Sequence, residues 1–164
     1  MASRVLRSNL NPGWTFHEGE LDRPDVRELL ESHFAAMRSQ SPRDSCHVLP
    51  PDDLGDPAIS FWSLREAGLL LGVGALKALS AVEGEVKSMR TAPQALGRGV
   101  GTAILRHIVA EARRRAYRRL SLETGSTEPF AAALRLYERE GFVPCGPFGG
   151  YAPTPFTRFF ALEL

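Results

Sequence analysis

A glycine-rich stretch at residues 94–102, Gln-Ala-Leu-Gly-Arg-Gly-Val-Gly-Thr, has residue types and spacing suited to binding an anion. Its glycines, at alternate positions from 97 to 101, let the backbone turn tightly and approach a ligand closely. Apolar periodicity from Val100 onward predicts a helix, whose first turn leaves unpaired N–H groups and a partial positive charge. A strand, a glycine turn and a helix N-terminus together favour a phosphate or pyrophosphate ligand.

Two other phosphate-binding motifs fit this stretch less well. A P-loop ends in Gly-Lys-Ser/Thr, whereas the corresponding residues here are Gly101, Thr102 and Ala103. A dinucleotide motif, Gly-x-Gly-x-x-Gly, needs a third glycine where this chain has Thr102 or Ile104. A glycine turn with no ligand remains an alternative.

The elements that would position this turn follow from hydrophobic periodicity. The pattern predicts strands over residues 14–21, 58–64, 69–79, 83–91, 120–124, 142–144 and 157–164. It predicts helices over residues 24–37, 100–116 and 129–140, with a loop rich in Pro and Asp over 41–57. We therefore expect one mixed α/β domain over residues 14–164, preceded by an N-terminal extension over 1–13.

Composition narrows the range of functions. The chain has 164 residues, which suits one domain. Its formal net charge is only +1, so we expect no general electrostatic attraction to nucleic acid or to a membrane. Its two cysteines, Cys46 and Cys145, are too few and too far apart for a disulfide framework or a metal cluster. We expect reduced thiols in the cytoplasm, no metal, and no signal peptide or membrane anchor.

Residues 89–105 resemble the acetyl-CoA-binding motif of the GNAT superfamily of N-acetyltransferases, which reads Gln/Arg-x-x-Gly-x-Gly/Ala after a strand. The similarity continues through residues 121–125 and 136–142, and residues 144–151 resemble a small bacterial, YsnE-type branch. The resemblance implies a central, mostly antiparallel sheet that splays at a coenzyme cleft and is flanked by helices. It also implies acetyl-CoA as co-substrate.

By this resemblance, the coenzyme contacts the end of one strand and the glycine turn. The residues are Met89, Arg90, Thr91, Leu96, Gly97, Arg98, Gly99, Val100, Gly101 and Thr102. A backbone N–H at Met89 or Arg90 would stabilise the oxyanion, and Thr91 would pair with the pantetheine like an added strand. We align Leu96 with the Gln/Arg of the motif and Phe130 with an Asn frequent in the family; both are departures.

The chemistry requires a base, because an amine is largely protonated near neutral pH. The resemblance places the base at Glu85, and period-2 alternation puts Glu85 on one strand face with Lys87, Met89 and Thr91. Glu123, on the neighbouring strand, is the second choice. A purely structural ion pair of Lys87 with either glutamate is the alternative.

Tyr137 matches the family tyrosine that protonates the departing thiolate, although a packing role is the alternative. His33, Lys87 and Glu123 are predicted to face the acceptor, and residues 146–155 to cover the site as a lid. The expected function is direct transfer of an acetyl group from acetyl-CoA to the amine of a small molecule or amino acid. The resemblance leaves a homodimer open.

Two other classes of function remain. One is a non-catalytic acyl-CoA-binding or sensing module that regulates a partner protein, which Leu96 and Phe130 favour slightly. The other is a nucleotide-dependent oxidoreductase, which would retain NAD or FAD.

Overall fold

A computed structural model of the protein describes residues 5–6 and 11–164, with side chains from residue 11 onward. The strands in these residues are β1 (Val5–Leu6), β2 (Trp14–Glu18), β3 (Ile59–Glu66), β4 (Leu69–Ala78), β5 (Glu83–Thr91), β6 (Arg119–Gly125), β7 (Val143–Pro144) and β8 (Thr157–Glu163). They form one sheet in the order β1-β2-β3-β4-β5-β6-β8-β7. Neighbouring strands run antiparallel except β5 and β6, which are parallel.

The α-helices of the described residues are α1 (Pro24–Gln40), α2 (Val100–Arg114) and α3 (Ala131–Arg139). Helix α2 connects the two parallel strands and packs on β4 and β5. It approaches the sheet closely because Gly74 has no side chain: a Cβ there would lie 2.5 Å from Cγ2 of Ile104. The predicted mixed α/β architecture is thereby confirmed.

Helix α1 is fixed to the sheet by a buried arginine on β3. The Arg65 guanidinium lies 2.9 Å from the Glu20 carboxylate and 2.6 Å from that of Asp25. Hydrogen bonds from Arg65 hold the pKa of Asp25 below its usual value. Burial works against ionisation of Glu20, but hydrogen bonds from Ser63 and Arg65 outweigh it and lower its pKa as well. Both carboxylates are therefore charged at neutral pH and compensate the buried cation.

The sheet opens between β5 and β6. Their ladder joins only Glu83–Glu85 to Arg119–Ser121, although both strands continue beyond it. The backbone edge of β5 that faces β6 is therefore left without a strand partner after Glu85. This opening is the splay that the sequence led us to expect.

A β-bulge interrupts β5 just before its end. Val73 on β4 pairs with Arg90 and Ala75 pairs with Lys87, so Ser88 and Met89 together oppose a single residue, Gly74. Ser88 adopts φ 53°, the left-handed conformation that accommodates the extra residue. The bulge shifts the alternation of side chains by one residue for the rest of the strand.

Element boundaries agree closely with the sequence predictions at the centre of the fold and less well at its margins. The predicted strand over residues 83–91 has those bounds in the structure. The predicted helix over 129–140 is divided into a 3-10 turn at Glu128–Phe130 and α3. Two residues of the predicted N-terminal extension form β1, which pairs with β2. Within the described residues, no helix is both long and apolar enough to cross a bilayer.

Candidate active site

Two adjoining cavities occupy the opening between β5 and β6. The first lies between the end of β5 and helix α3, and Thr91, Gly101 and Leu136 line it. The second lies on the α1 side of the sheet, where its walls include His33, Glu85, Lys87 and Glu123. The cavities share four lining residues, which are Met89, Arg90, Ala133 and Tyr137. They therefore form one continuous cleft with two ends.

The glycine turn borders the first end of the cleft. Gly97 and Gly99 have φ of 76° and 82°, and a Cβ on either would have no atom within 4 Å. Gly99 precedes the first residue of α2, and no side chain caps the helix. The N–H groups of its first turn are therefore free for an anion. Arg139 reaches this turn from α3 and donates to Thr102 Oγ1 at 3.1 Å. It adds a cation that no sequence motif marks.

The alignment of Leu96 with the first position of the motif is wrong. Gln94 stands three residues before Gly97, which is where the motif has Gln or Arg. Its side-chain amide donates to the Leu70 carbonyl at 3.3 Å and so ties the turn to the start of β4. Leu96 itself is 68% exposed. One of the two departures that favoured a non-catalytic module is thereby removed.

Tyr137 lies where the two cavities meet. Its ring packs against Phe142 and Phe160 at centroid distances of 6.1 and 6.5 Å. Within the described residues its hydroxyl has no hydrogen-bond partner. Burial raises the pKa of Tyr137 to about 12, and the charge of Glu123 contributes to the rise. The tyrosine is therefore a neutral proton donor facing the cleft.

Glu85 is held in a buried three-membered cluster. Its Oε1 accepts hydrogen bonds from Lys87 Nζ at 3.0 Å and from the Tyr151 hydroxyl at 2.6 Å. Lys87 Nζ also donates to the Tyr151 oxygen at 2.8 Å. The ion pair named above as the alternative for Glu85 is therefore present, and it engages one carboxylate oxygen twice.

Glu123 differs from Glu85, because the described residues offer its carboxylate no hydrogen-bond or ion-pair partner. Burial raises the pKa of Glu123 to about 7; Lys87 opposes the rise and Glu85 adds to it. A carboxylate with a pKa near the working pH can both accept and release a proton efficiently. Of the two candidate bases, Glu123 has the environment of a proton acceptor.

The predicted face of β5 is wrong beyond Lys87, because the prediction assumed an unbroken strand. Pairing with Ala75 and Val73 places Lys87 and Arg90 on one face, and Met89 lies on the other, beside α2. Lys87 and Arg90 accordingly line the second cavity together.

His33 projects from α1 into the same cavity. Burial, assisted by the charge of Arg90, lowers the pKa of His33 to about 4, so the imidazole is neutral at physiological pH. Its Nδ1 is buried and has no hydrogen-bond partner.

The loop between β7 and β8 contacts the wall of the second cavity. Tyr151 reaches Glu85 from this loop, and its ring lies 4.8 Å from that of His47. A second contact joins Ser45 Oγ to Thr154 Oγ1 at 2.9 Å. The loop is therefore attached to three residues that line the second cavity, Ser45, His47 and Glu85. Tyr151 was not selected as a site residue from the sequence, because it is 66 residues from Glu85 along the chain.

A glycine turn before an uncapped helix, beside a cleft lined by Glu123 and Tyr137, suits an acyltransferase. The chain belongs to the acetyltransferase (GNAT) family, whose model matches residues 23–142.

Individual proteins agree with this assignment. The uncharacterized N-acetyltransferase YedL of Escherichia coli is 45% identical over 151 residues, which are 92% of this chain and 95% of that protein. The uncharacterized N-acetyltransferase YsnE of Bacillus subtilis is 45% identical over 139 residues, covering 85% and 92%. The crystal structure of a proposed acyl-CoA N-acyltransferase from Klebsiella pneumoniae matches with a TM-score of 0.75 at 27% identity, covering 94% of this chain and 99% of the other.

Proposed function

We propose that this enzyme transfers an acetyl group from acetyl-CoA to the amine of a small molecule, with Glu123 as general base and Tyr137 as general acid. The observation that carries the proposal is the position of these two side chains. Both line the cleft at or beside the junction of its two cavities, and neither has a partner among the described residues. Unsatisfied polar groups that converge in a cleft favour a bound reactant over a structural role.

The residues present suit acetyl-CoA. The exposed turn at Gly97 and Gly99 and the uncapped α2 would hold the pyrophosphate, with Arg139 beside it. The unpaired edge of β5 would hydrogen-bond the pantetheine as an added strand. A Cβ at position 101 would lie 3.3 Å from Cδ2 of Leu136, so glycine leaves the space between them open for the pantetheine. When bound, acetyl-CoA would supply the thioester carbonyl that is attacked and the thiolate that leaves.

The protein's own groups account for the remaining steps. Glu123 accepts the proton of the acceptor amine, so that the nitrogen can attack. A backbone N–H on the free edge of β5, at Met89 or Arg90, stabilises the negative charge on the carbonyl oxygen. Tyr137 donates its proton to the departing sulfur, and the tyrosinate regains a proton from the one that the nitrogen loses as the amide forms. The chain needs no covalent intermediate for this route, and unpaired Cys46 and Cys145 are consistent with work in the cytoplasm.

The test is release of free thiol from acetyl-CoA with a broad panel of amines, with the amide product identified by mass. Release that depends on both the amine and the enzyme is expected. Tight binding of acetyl-CoA with no release for any amine would instead favour the non-catalytic module. Phe130, at the position where the family frequently has Asn, is the residue that still favours that module.

A further inference from the structure

Arg90 lines the second cavity, called the acceptor cavity here because the proposed function places the acceptor amine there, and no group of the described chain neutralises its charge. It lines both cavities, yet it takes part in no ion pair or side-chain hydrogen bond with the described residues. The other cation of this wall, Lys87, is by contrast paired with Glu85 at 3.0 Å. Because unpaired charge is costly in a partly closed cleft, an anionic group of a ligand would suit Arg90.

Building on the proposed function, we propose that the acceptor is an amine that also carries a carboxylate, and that Arg90 binds this carboxylate while Glu123 receives the amine. Arg90 on β5 and Glu123 on the adjacent strand β6 line the same cavity, and neither has a partner among the described residues. A molecule with an ammonium and a carboxylate complements both. The planar guanidinium can bind a carboxylate with two parallel hydrogen bonds, which gives orientation as well as affinity.

A second polar side chain of this cavity, His33, also has an atom without a partner. The buried Nδ1 of His33 has no partner, so the imidazole offers a further polar contact there. Since His33 is neutral at physiological pH, Arg90 is the cation of this wall that stays free for the carboxylate.

The coenzyme is the competing ligand for Arg90, and the bulge in β5 disfavours it. The extra residue places Arg90 on the face of Lys87, whereas Met89 lies on the face that packs against α2. The glycine turn lies at the start of α2. Arg90 thus shares a strand face with Lys87 of the second cavity, although its side chain also lines the first cavity.

The experiment uses amino acids in matched pairs, each as the free acid and as the carboxamide, with thiol release giving kcat/KM for both. For the preferred pair, Arg90→Gln should lower kcat/KM on the acid by at least about tenfold and on the carboxamide by less than about threefold. Comparing variant with parent on each compound cancels the difference in amine pKa within a pair. Arg113→Gln is the matched control, because it removes the same charge at the far end of α2 and should leave both values unchanged.

Other outcomes overturn the inference in distinguishable ways. Equal losses on acid and carboxamide would show that Arg90 does not bind the carboxylate. Weaker binding of acetyl-CoA to folded Arg90→Gln, measured by calorimetry without acceptor, would assign the arginine to the coenzyme. Acetylation of other amines but of no carboxylate-bearing amine would refute the substrate class and leave the proposed function standing. Acetylation of no amine at all would refute both.

Discussion

Replacement of Glu123 by glutamine should change how the rate depends on pH. With a pKa of about 7, Glu123 is about half ionised at neutral pH. A lysine-like acceptor amine, with a pKa of about 10.4, is almost entirely ammonium there. Since the carboxylate must take a proton from this ammonium, kcat/KM of the parent should rise about tenfold per pH unit below 7. It should then stay level until the amine itself titrates.

Glu123→Gln must instead rely on the small fraction of free amine. Near pH 7 we expect a loss of about 10²- to 10⁴-fold in kcat/KM, the usual contribution of a general base. The variant should lack the change of slope near pH 7 and keep rising towards the pKa of the amine. The ratio of parent to variant should therefore be constant below about pH 7 and fall above it.

Glu85→Gln is the matched control, and thiol release between about pH 5.5 and about pH 9.5 is the assay. Glu85→Gln should keep the change of slope, at a somewhat lower pH because the charge of Glu85 contributes to the raised pKa of Glu123. If Glu85→Gln loses it and Glu123→Gln retains it, the base is Glu85 and the reasoning from Glu123 is refuted. Stability supplies an independent check, because the raised pKa means that the contribution of Glu123 to folding is lost as pH rises through about 7. Glu123→Gln should match the parent near pH 4 and be the more stable protein above pH 7.

Three further substitutions test other parts of the molecule. Gly99→Asp should weaken acetyl-CoA binding at least about tenfold by calorimetry, because a negative charge and backbone strain enter the turn. Gly68→Asp controls for strain, since Gly68 in the β3–β4 turn has an equally left-handed φ of 83°. Equal losses of affinity in the two variants would remove the pyrophosphate assignment. Tyr137→Phe should lower kcat by about 10- to 10³-fold, because the variant lacks the general acid, while melting temperature and coenzyme affinity stay unchanged. A normal kcat with a lower melting temperature would assign the hydroxyl to packing. Arg65→Met should cost about 3–5 kcal/mol of unfolding free energy in urea, because two carboxylates lose their buried partner. Since the pKa of each carboxylate is lowered, the stability that they supply in the parent should be lost as pH falls below about 4, and an Arg65→Met protein with an unchanged acid transition would contradict this account.

Local signals were enough to predict the coenzyme end of the cleft. Three alternating glycines specify a turn and a helix start within a few residues, and the structure has Gly97 and Gly99 with positive φ and α2 beginning at Val100. The strand that leads into the turn was predicted with the bounds that it has in the structure, Glu83–Thr91. The fold class followed from the order of such elements.

The acceptor end could not be predicted in the same way. Nothing in the residue types marks Ser88 as the site of a bulge, since the register depends on β4, and period-2 alternation therefore misplaced Met89 and Arg90. The pairing of Glu85 with Tyr151 joins residues far apart in the chain. The different environments of the two glutamates arise from that long-range contact, which is why their order of preference changed once the structure was known.

The short ladder between β5 and β6 has a consequence for how the protein unfolds. The ladder between β5 and β6 has three residue pairs, and it connects the part of the sheet that contains β1 to β5 with the part that contains β6 to β8. A coenzyme bound across this opening would connect the two halves of the sheet, which would otherwise unfold as separate cooperative units. Amide hydrogen exchange should then show separate opening of the two halves in the free protein and a single, slower opening in the complex. The backbone amides of β5 beyond Glu85 should gain the most protection.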